Sequence, residues 1–343
     1  EGKAMFMGYK YPGGLYGMMQ VQWYSEPGQV HILNHGYLAV EFFFILSGLF
    51  LFQDQEKHPE MKTTQYIIKR YGRFYPKYFF AFLITAIVKW RLFIPEGGVD
   101  CWFDSVFSRV AELLLIQATG FSESGEHVIN NPMWFLSALI WSSTIIFATR
   151  RTFKHTATSW IIPIIVFVGY TFLLNYEVKW NLEKHAIENV VIYPRMLRGV
   201  CGIGLGYMLG YLLQHNRISN KITLSCMNVV SIMAFLIVIL AEFATNSYDN
   251  YVLLAFPIII IACIQKESLF NRIFRLPILT SLGKISFDMF LIHNAVIKVY
   301  LHMLQFCDLP LYASICLYVV LVTLAGYAFD FCFRLVYKSV NNR

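Results

Sequence analysis

Apolar residues fall along this chain in long, nearly unbroken runs rather than in the alternation of half-buried strands. A bilayer core about 30 Å thick takes roughly 20 apolar residues per helix. Nine runs approach that measure: 36–53, 75–94, 132–149, 158–176, 194–214, 224–244, 250–265, 285–306 and 311–333. A tenth, 105–118, is shorter and carries Arg109 and Glu112. Its apolar residues recur at helical spacing, which predicts an amphipathic helix lying at the membrane interface. The connections between runs alternate in charge. Basic ones (Lys57 to Lys77; Arg150, Arg151 and Lys154; Arg217 and Lys221; Lys266 to Lys284; Arg334 to Arg343) take turns with acidic or mixed ones. Positive-inside orientation requires that alternation, and counting 105–118 as a span would break it. The pattern predicts an all-α polytopic bundle of nine spans plus one interfacial helix, with a cytoplasmic C-terminus.

Composition narrows the class. Of 343 residues, 57% are hydrophobic and only 14% charged, against about a quarter charged in a soluble domain. That excludes a soluble enzyme, a disordered chain and a secreted disulfide scaffold. The net charge of +7 sits in short loops, so it reads as membrane topology and not as a nucleic-acid surface. The seven cysteines fall mostly inside apolar runs, with no CxxC and no Cys/His cluster at metal spacing, so neither a metal site nor a disulfide framework is expected. Residues 1–35 are read as an extracytoplasmic segment and 36–343 as the membrane domain. An odd span count with an external N-terminus and no signal peptide leads to the expectation of one more helix upstream of Glu1, with Ala4–Tyr9 as its outer end.

Four motifs occur in order: HGYLAVEFFFILSGLFLF at 35–52, RYGRFYP at 70–76, MWFLS at 133–137 and SLGKISFDMFLIH at 281–293. Together they resemble the membrane-bound acyltransferase 3 family, over nearly the whole chain. The resemblance implies ten spanning helices and transfer of an acyl group, mostly acetyl, from cytoplasmic acyl-CoA to sugars or cell-envelope glycans on the outer side. It implies a multi-pass protein of a cell membrane, with a bacterial plasma membrane as the expected setting. The partners implied are the lipid bilayer, acyl-CoA and a glycan or lipid-linked sugar, with no nucleic acid. Two positions depart from the family. Its first-helix Arg-x10-His is not found, and Gly8 stands where its proposed catalytic His would fall. Ala138 follows W-x-L-S where the family often has Glu.

Candidate residues follow from charge and place. Arg70 and Arg73, one helical turn apart and flanked by Lys69 and Lys77, suit the phosphates of CoA, because arginine chelates phosphate with two donors; anchoring to anionic lipid is the plainer account of the lysines. His293 lies about 13 Å into its span at 1.5 Å per residue, where an ionisable group marks a functional path or a packing hydrogen bond. With Gly8 lacking an imidazole, His293 is the candidate base. Glu41 lies just below the outer surface and is a candidate to orient the acceptor, with His35 at the entrance beside it. Arg195 and Arg198 begin a span from the outer side, against positive-inside, which suits an anionic or polyol acceptor. Trp134 and Ser137 open the MWFLS span; an aromatic belt also accounts for Trp134. Glycines 199, 202, 204, 206 and 210 read as close-packing positions and not as a nucleotide loop. Two rival functions stand beside the acyltransferase: a transporter, though without paired inverted repeats, and a catalytically silent membrane or sensor domain.

Overall fold

The computed structural model describes residues 4–6, 9–11, 37–92, 106–119, 129–175, 193–215, 221–243, 248–304 and 311–341. Two short strands, β1 (Ala4–Phe6) and β2 (Tyr9–Tyr11), pair antiparallel with Ala4 opposite Tyr11. Ala4–Phe6 is thus extended, not the outer end of a helix as expected. The remaining regular structure is helical: α1 (Leu38–Lys57), α2 (Thr63–Leu92), α3 (Val106–Leu113), α4 (Trp134–Thr156), α5 (Ile162–Asn175), α6 (Pro194–His215), α7 (Lys221–Phe243), α8 (Asp249–Ile264), α9 (Leu269–Phe274), α10 (Pro277–Leu304) and α11 (Leu311–Asn341).

Each of the nine expected runs falls on a helix. Five stretches among the described residues are long and apolar enough to cross a membrane: Leu38–Lys57, Trp134–Asn175, Pro194–Gln214, Leu224–Glu242 and Ala313–Tyr337. The second, of 42 residues, covers two expected spans. Its helix breaks at Lys154, where φ is 49°, and resumes through a π turn at Ala157–Ile161. The expected span at 250–265 is the 16-residue α8. Those at 75–94 and 285–306 lie on α2 and α10, whose lysines and acids dilute the apolar run: Lys77 and Lys89 on the first, Asp288 and Lys298 on the second. The amphipathic helix expected over 105–118 is shorter than that. It ends at Leu113, Leu115 takes a positive φ of 54°, and Gln117–Thr119 forms a 3-10 turn. Its Glu112 is fully buried in the protein.

The chain divides into two compact units, residues 1–67 with 138–275, and residues 68–137 with 276–343. In the first, α1 and α6 touch backbone to backbone. A Cβ on Gly48 would collide with the Ile203 carbonyl, and one on Gly206 with the Ile45 carbonyl. Gly202 and Gly210 continue the same face against Phe44 and Phe52. Gly199 turns instead to Ser142 of α4, and Gly204 to Val166 of α5. The glycine run thus lets three neighbours approach α6 closely, as small residues do where lipid-like surfaces offer little driving force. In the second unit α2, α10 and α11 meet through Phe74 on Phe287, Phe80 on Phe329, and Gly326 against Met289. Large apolar side chains stay exposed along α7 (Val229, Met233, Leu236, Leu240) and α11 (Val320, Leu324, Phe331), the faces a lipid environment would cover.

Candidate functional site

In the second unit, α2 carries Arg70, Phe74 and Lys77 on one face, since residues three and four apart share a side of a helix. The guanidinium carbons of Arg70 and Arg73 lie 5.8 and 5.5 Å from the centroid of the Phe74 ring. Such stacking holds a guanidinium without consuming its in-plane donors. Between them a Cβ at Gly72 would meet nothing within 4 Å, so the arginine pair borders open space. Lys69 is exposed beside them. Lys77 has a different setting. Its Nζ lies 2.7 and 2.9 Å from the two Asp288 carboxylate oxygens and 2.9 Å from Asp330 Oδ1. Arg334 also reaches Asp330, at 2.6 Å. Lys77 is therefore neutralised by carboxylates, with both Asp288 oxygens on its ammonium.

Deeper along α10, His293 Nδ1 is 2.6 Å from the Phe290 carbonyl oxygen. A carbonyl only accepts, so Nδ1 carries the proton, and the lone pair of neutral imidazole sits on Nε2. The Phe290 ring packs beside the imidazole, centroids 5.5 Å apart, and meets Phe135 edge-on at 5.3 Å. Phe135 belongs to the MWFLS motif. Ser137, two residues on, is fully buried, and its Oγ accepts from the Ala118 N–H at 3.1 Å. Trp134 is half-buried at the start of α4. The second unit thus gathers His293, Trp134, Ser137 and the basic end of α2.

Behind His293 lies a polar set that the sequence reading did not select. Glu112 accepts the backbone N–H groups of Ile129 at 2.7 Å and Asn130 at 2.6 Å. Burial pushes its carboxyl upward, against the pull of those two amides and of Lys89 and Arg109. Tyr78 donates to the Glu112 carbonyl at 2.6 Å. The Asn130 amide donates to the Leu291 carbonyl at 3.2 Å, and its oxygen accepts from Asn294 at 3.1 Å. A carboxylate inside a mostly apolar run was the available signal. Its partners, 17 and 18 residues further along the chain, carry none.

In the first unit, Glu41 is fully buried. It receives Arg198 Nε at 2.7 Å and the Tyr170 hydroxyl. Arg198 Nη2 also donates to the Tyr37 carbonyl at 2.7 Å, and the Tyr37 hydroxyl reaches both oxygens of Asp249 at 3.0 Å. These bonds tie α1, α5, α6 and α8 together. Removing one partner of a buried pair costs about 3–5 kcal/mol, so Glu41 and Arg198 carry packing whatever else they do. Arg195 is buried one turn before Arg198. Gly8 and His35 lie outside the described residues. Among the described residues no group of three His, Cys, Asp or Glu has the geometry to hold a metal.

The family model described as an acyltransferase domain, acyltransferase 3, matches residues 5–329. The chain belongs to the acyltransferase 3 family. Searches of curated proteins and of solved structures return no match. Family membership makes this an acyltransferase-type protein, and its apolar helices make it a membrane protein. All four motifs lie within the matched residues.

Proposed function

We propose that the chain transfers an acyl group, acetyl in the first instance, from cytoplasmic acyl-CoA to a hydroxyl of a sugar or envelope glycan across a cell membrane. The observation that carries this reading is the acyltransferase-domain match over residues 5–329; His293 supplies the candidate base. With Nδ1–H held by the Phe290 carbonyl, Nε2 is the basic nitrogen. As the acceptor oxygen attacks the thioester carbonyl, Nε2 takes the hydroxyl proton. Collapse of the tetrahedral intermediate breaks the C–S bond, and the imidazolium returns that proton to the departing thiolate of CoA. Arg70 and Arg73, both beside the Phe74 ring, are the donor-phosphate clamp. Lys69 adds exposed positive charge beside it. Lys77 is assigned to Asp288 and Asp330 instead. His35 and Arg195 of the first unit and Trp134 and Ser137 of the second remain separate candidates for acceptor contacts, while Glu41 and Arg198 hold the first unit's helices together.

The test is transfer from labelled acetyl-CoA by the purified full chain. General-base catalysis contributes about 10²–10⁴-fold, so His293→Ala should lower kcat by that order and leave the KM for acetyl-CoA near its original value. Undiminished kcat in His293→Ala would move the base elsewhere.

A further inference from the structure

We infer that Asn130 is a positioning residue for His293: held in place by Glu112, it fixes the rotation of α10 about its own axis and so sets where the imidazole points. This inference rests on the assignment of His293 as base.

Leu291 and Asn294 lie three residues apart, on one face of α10, and His293 projects from a different one. Asn130 grips that first face twice. Its Nδ2 donates to the Leu291 carbonyl at 3.2 Å, and its Oδ1 accepts from Asn294 Nδ2 at 3.1 Å. A third, longer contact runs from Asn130 Nδ2 to Thr85 Oγ1 of α2, at 3.5 Å. Two bonds to neighbouring positions on one face resist rotation in a way that one cannot. Asn130 is itself immobilised, because its backbone N–H and that of Ile129 are bound by the two oxygens of buried Glu112. Glu112 in turn sits on α3, which α2 secures through Tyr71 to the Leu114 carbonyl at 3.0 Å and Tyr78 to the Glu112 carbonyl at 2.6 Å.

The chain of restraint therefore runs from α2 through α3 and Glu112 to Asn130, and so to the turn of α10 that carries His293. The bond from His293 to Phe290 stays within that turn, so it fixes the tautomer and ring orientation but cannot stop the helix from turning. With side chains reaching about 6 Å from a helix axis, a rotation of about 15° moves an imidazole by about 1.5 Å. A misplacement of about 1 Å can cost about 10²-fold in rate. Asn130 is wholly buried, so it acts on the substrate through the elements it holds and not by direct contact.

The experiment is a double-mutant cycle on the full chain, read as kcat and KM for acetyl-CoA. Asn130→Ala and Asn130→Asp, the second of which keeps the shape but loses the amide donor, should each lower kcat about 10- to 100-fold with KM unchanged. In a His293→Ala background the same substitutions should cost nothing further, because there is no longer an imidazole to aim. If Asn130→Ala does not fold, Asn294→Ser replaces it; it weakens one of the two grips and should give a smaller loss with the same dependence on His293. An equal fractional loss with and without His293, or a raised KM at unchanged kcat, would falsify the positioning role and leave Asn130 as packing. Full activity in His293→Ala alone removes the base assignment, and the inference with it, and is read independently of any Asn130 variant.

Discussion

Arg73 projects from α2 beside open space, 5.5 Å from the ring that also carries Arg70, and this pair is the most direct test of donor binding at a single residue. A ligand that binds only the folded state raises stability by RT ln(1 + [L]/Kd). Coenzyme A should therefore raise the thermal midpoint of the purified chain. Arg73→Ala should abolish the rise and Arg73→Lys should restore only part of it, since an ammonium cannot chelate phosphate with two donors. An unchanged rise in Arg73→Ala would return this cluster to lipid anchoring. The R-x-x-R-x-x-P spacing made the pair legible in sequence. The fate of Lys77 was not legible, because Asp288 and Asp330 lie 211 and 253 residues further along. Glu41 and Arg198 likewise stand out singly as charges in apolar runs, but their pairing is a property of packing. His293 was legible as one of two imidazoles in the expected span 285–306; Asn130, two positions before Pro132, carried no pattern at all.

At the scale of elements, α6 shows what a glycine run specifies. Its spacing announced close packing, and the structure assigns the partners: α1 for Gly202, Gly206 and Gly210, α4 for Gly199, α5 for Gly204. Adding a methyl group at Gly206 drives it into the Ile45 carbonyl. Overpacking of this kind typically costs about 1–3 kcal/mol, and a backbone obstacle cannot rotate away. Gly206→Ala should therefore lower the thermal midpoint. Gly283→Ala is the contrast: nothing lies within 4 Å of its Cβ position, so removing a helix-interior glycine should stabilise by up to about 1 kcal/mol. Thermal melts of the two variants in one detergent check both signs, and a stabilising Gly206→Ala would contradict the packing described. Element positions were readable because apolar runs of bilayer length leave few alternatives. Element ends were not. The reversal at Leu115 and the break at Lys154 depend on positive φ angles at ordinary residues, for which the apolar pattern carries no signal. The inward turn of Glu112 also escaped the periodicity, which registers where apolar residues point but not whether a lone acid on the same helix finds partners.

At the scale of the molecule, this acyltransferase 3 family member carries both the arginine pair and the histidine in its second unit. On the proposed reading, the alternation of basic and acidic connections puts the Arg70–Arg73 end on the cytoplasmic side. His293, about nine residues into α10 from Lys284, lies between the two faces. The proposed reaction puts donor and acceptor on opposite sides, an arrangement that a soluble transferase would not need. The deciding measurement reconstitutes the full chain in sealed liposomes of known orientation, with labelled acetyl-CoA on the face bearing Arg70 and sugar acceptors on the other. The account predicts labelled O-acetyl sugar on the acceptor side, reduced about 10²–10⁴-fold in His293→Ala and absent when donor and acceptor faces are exchanged. Solute crossing the bilayer with no acyl transfer under any arrangement would contradict it.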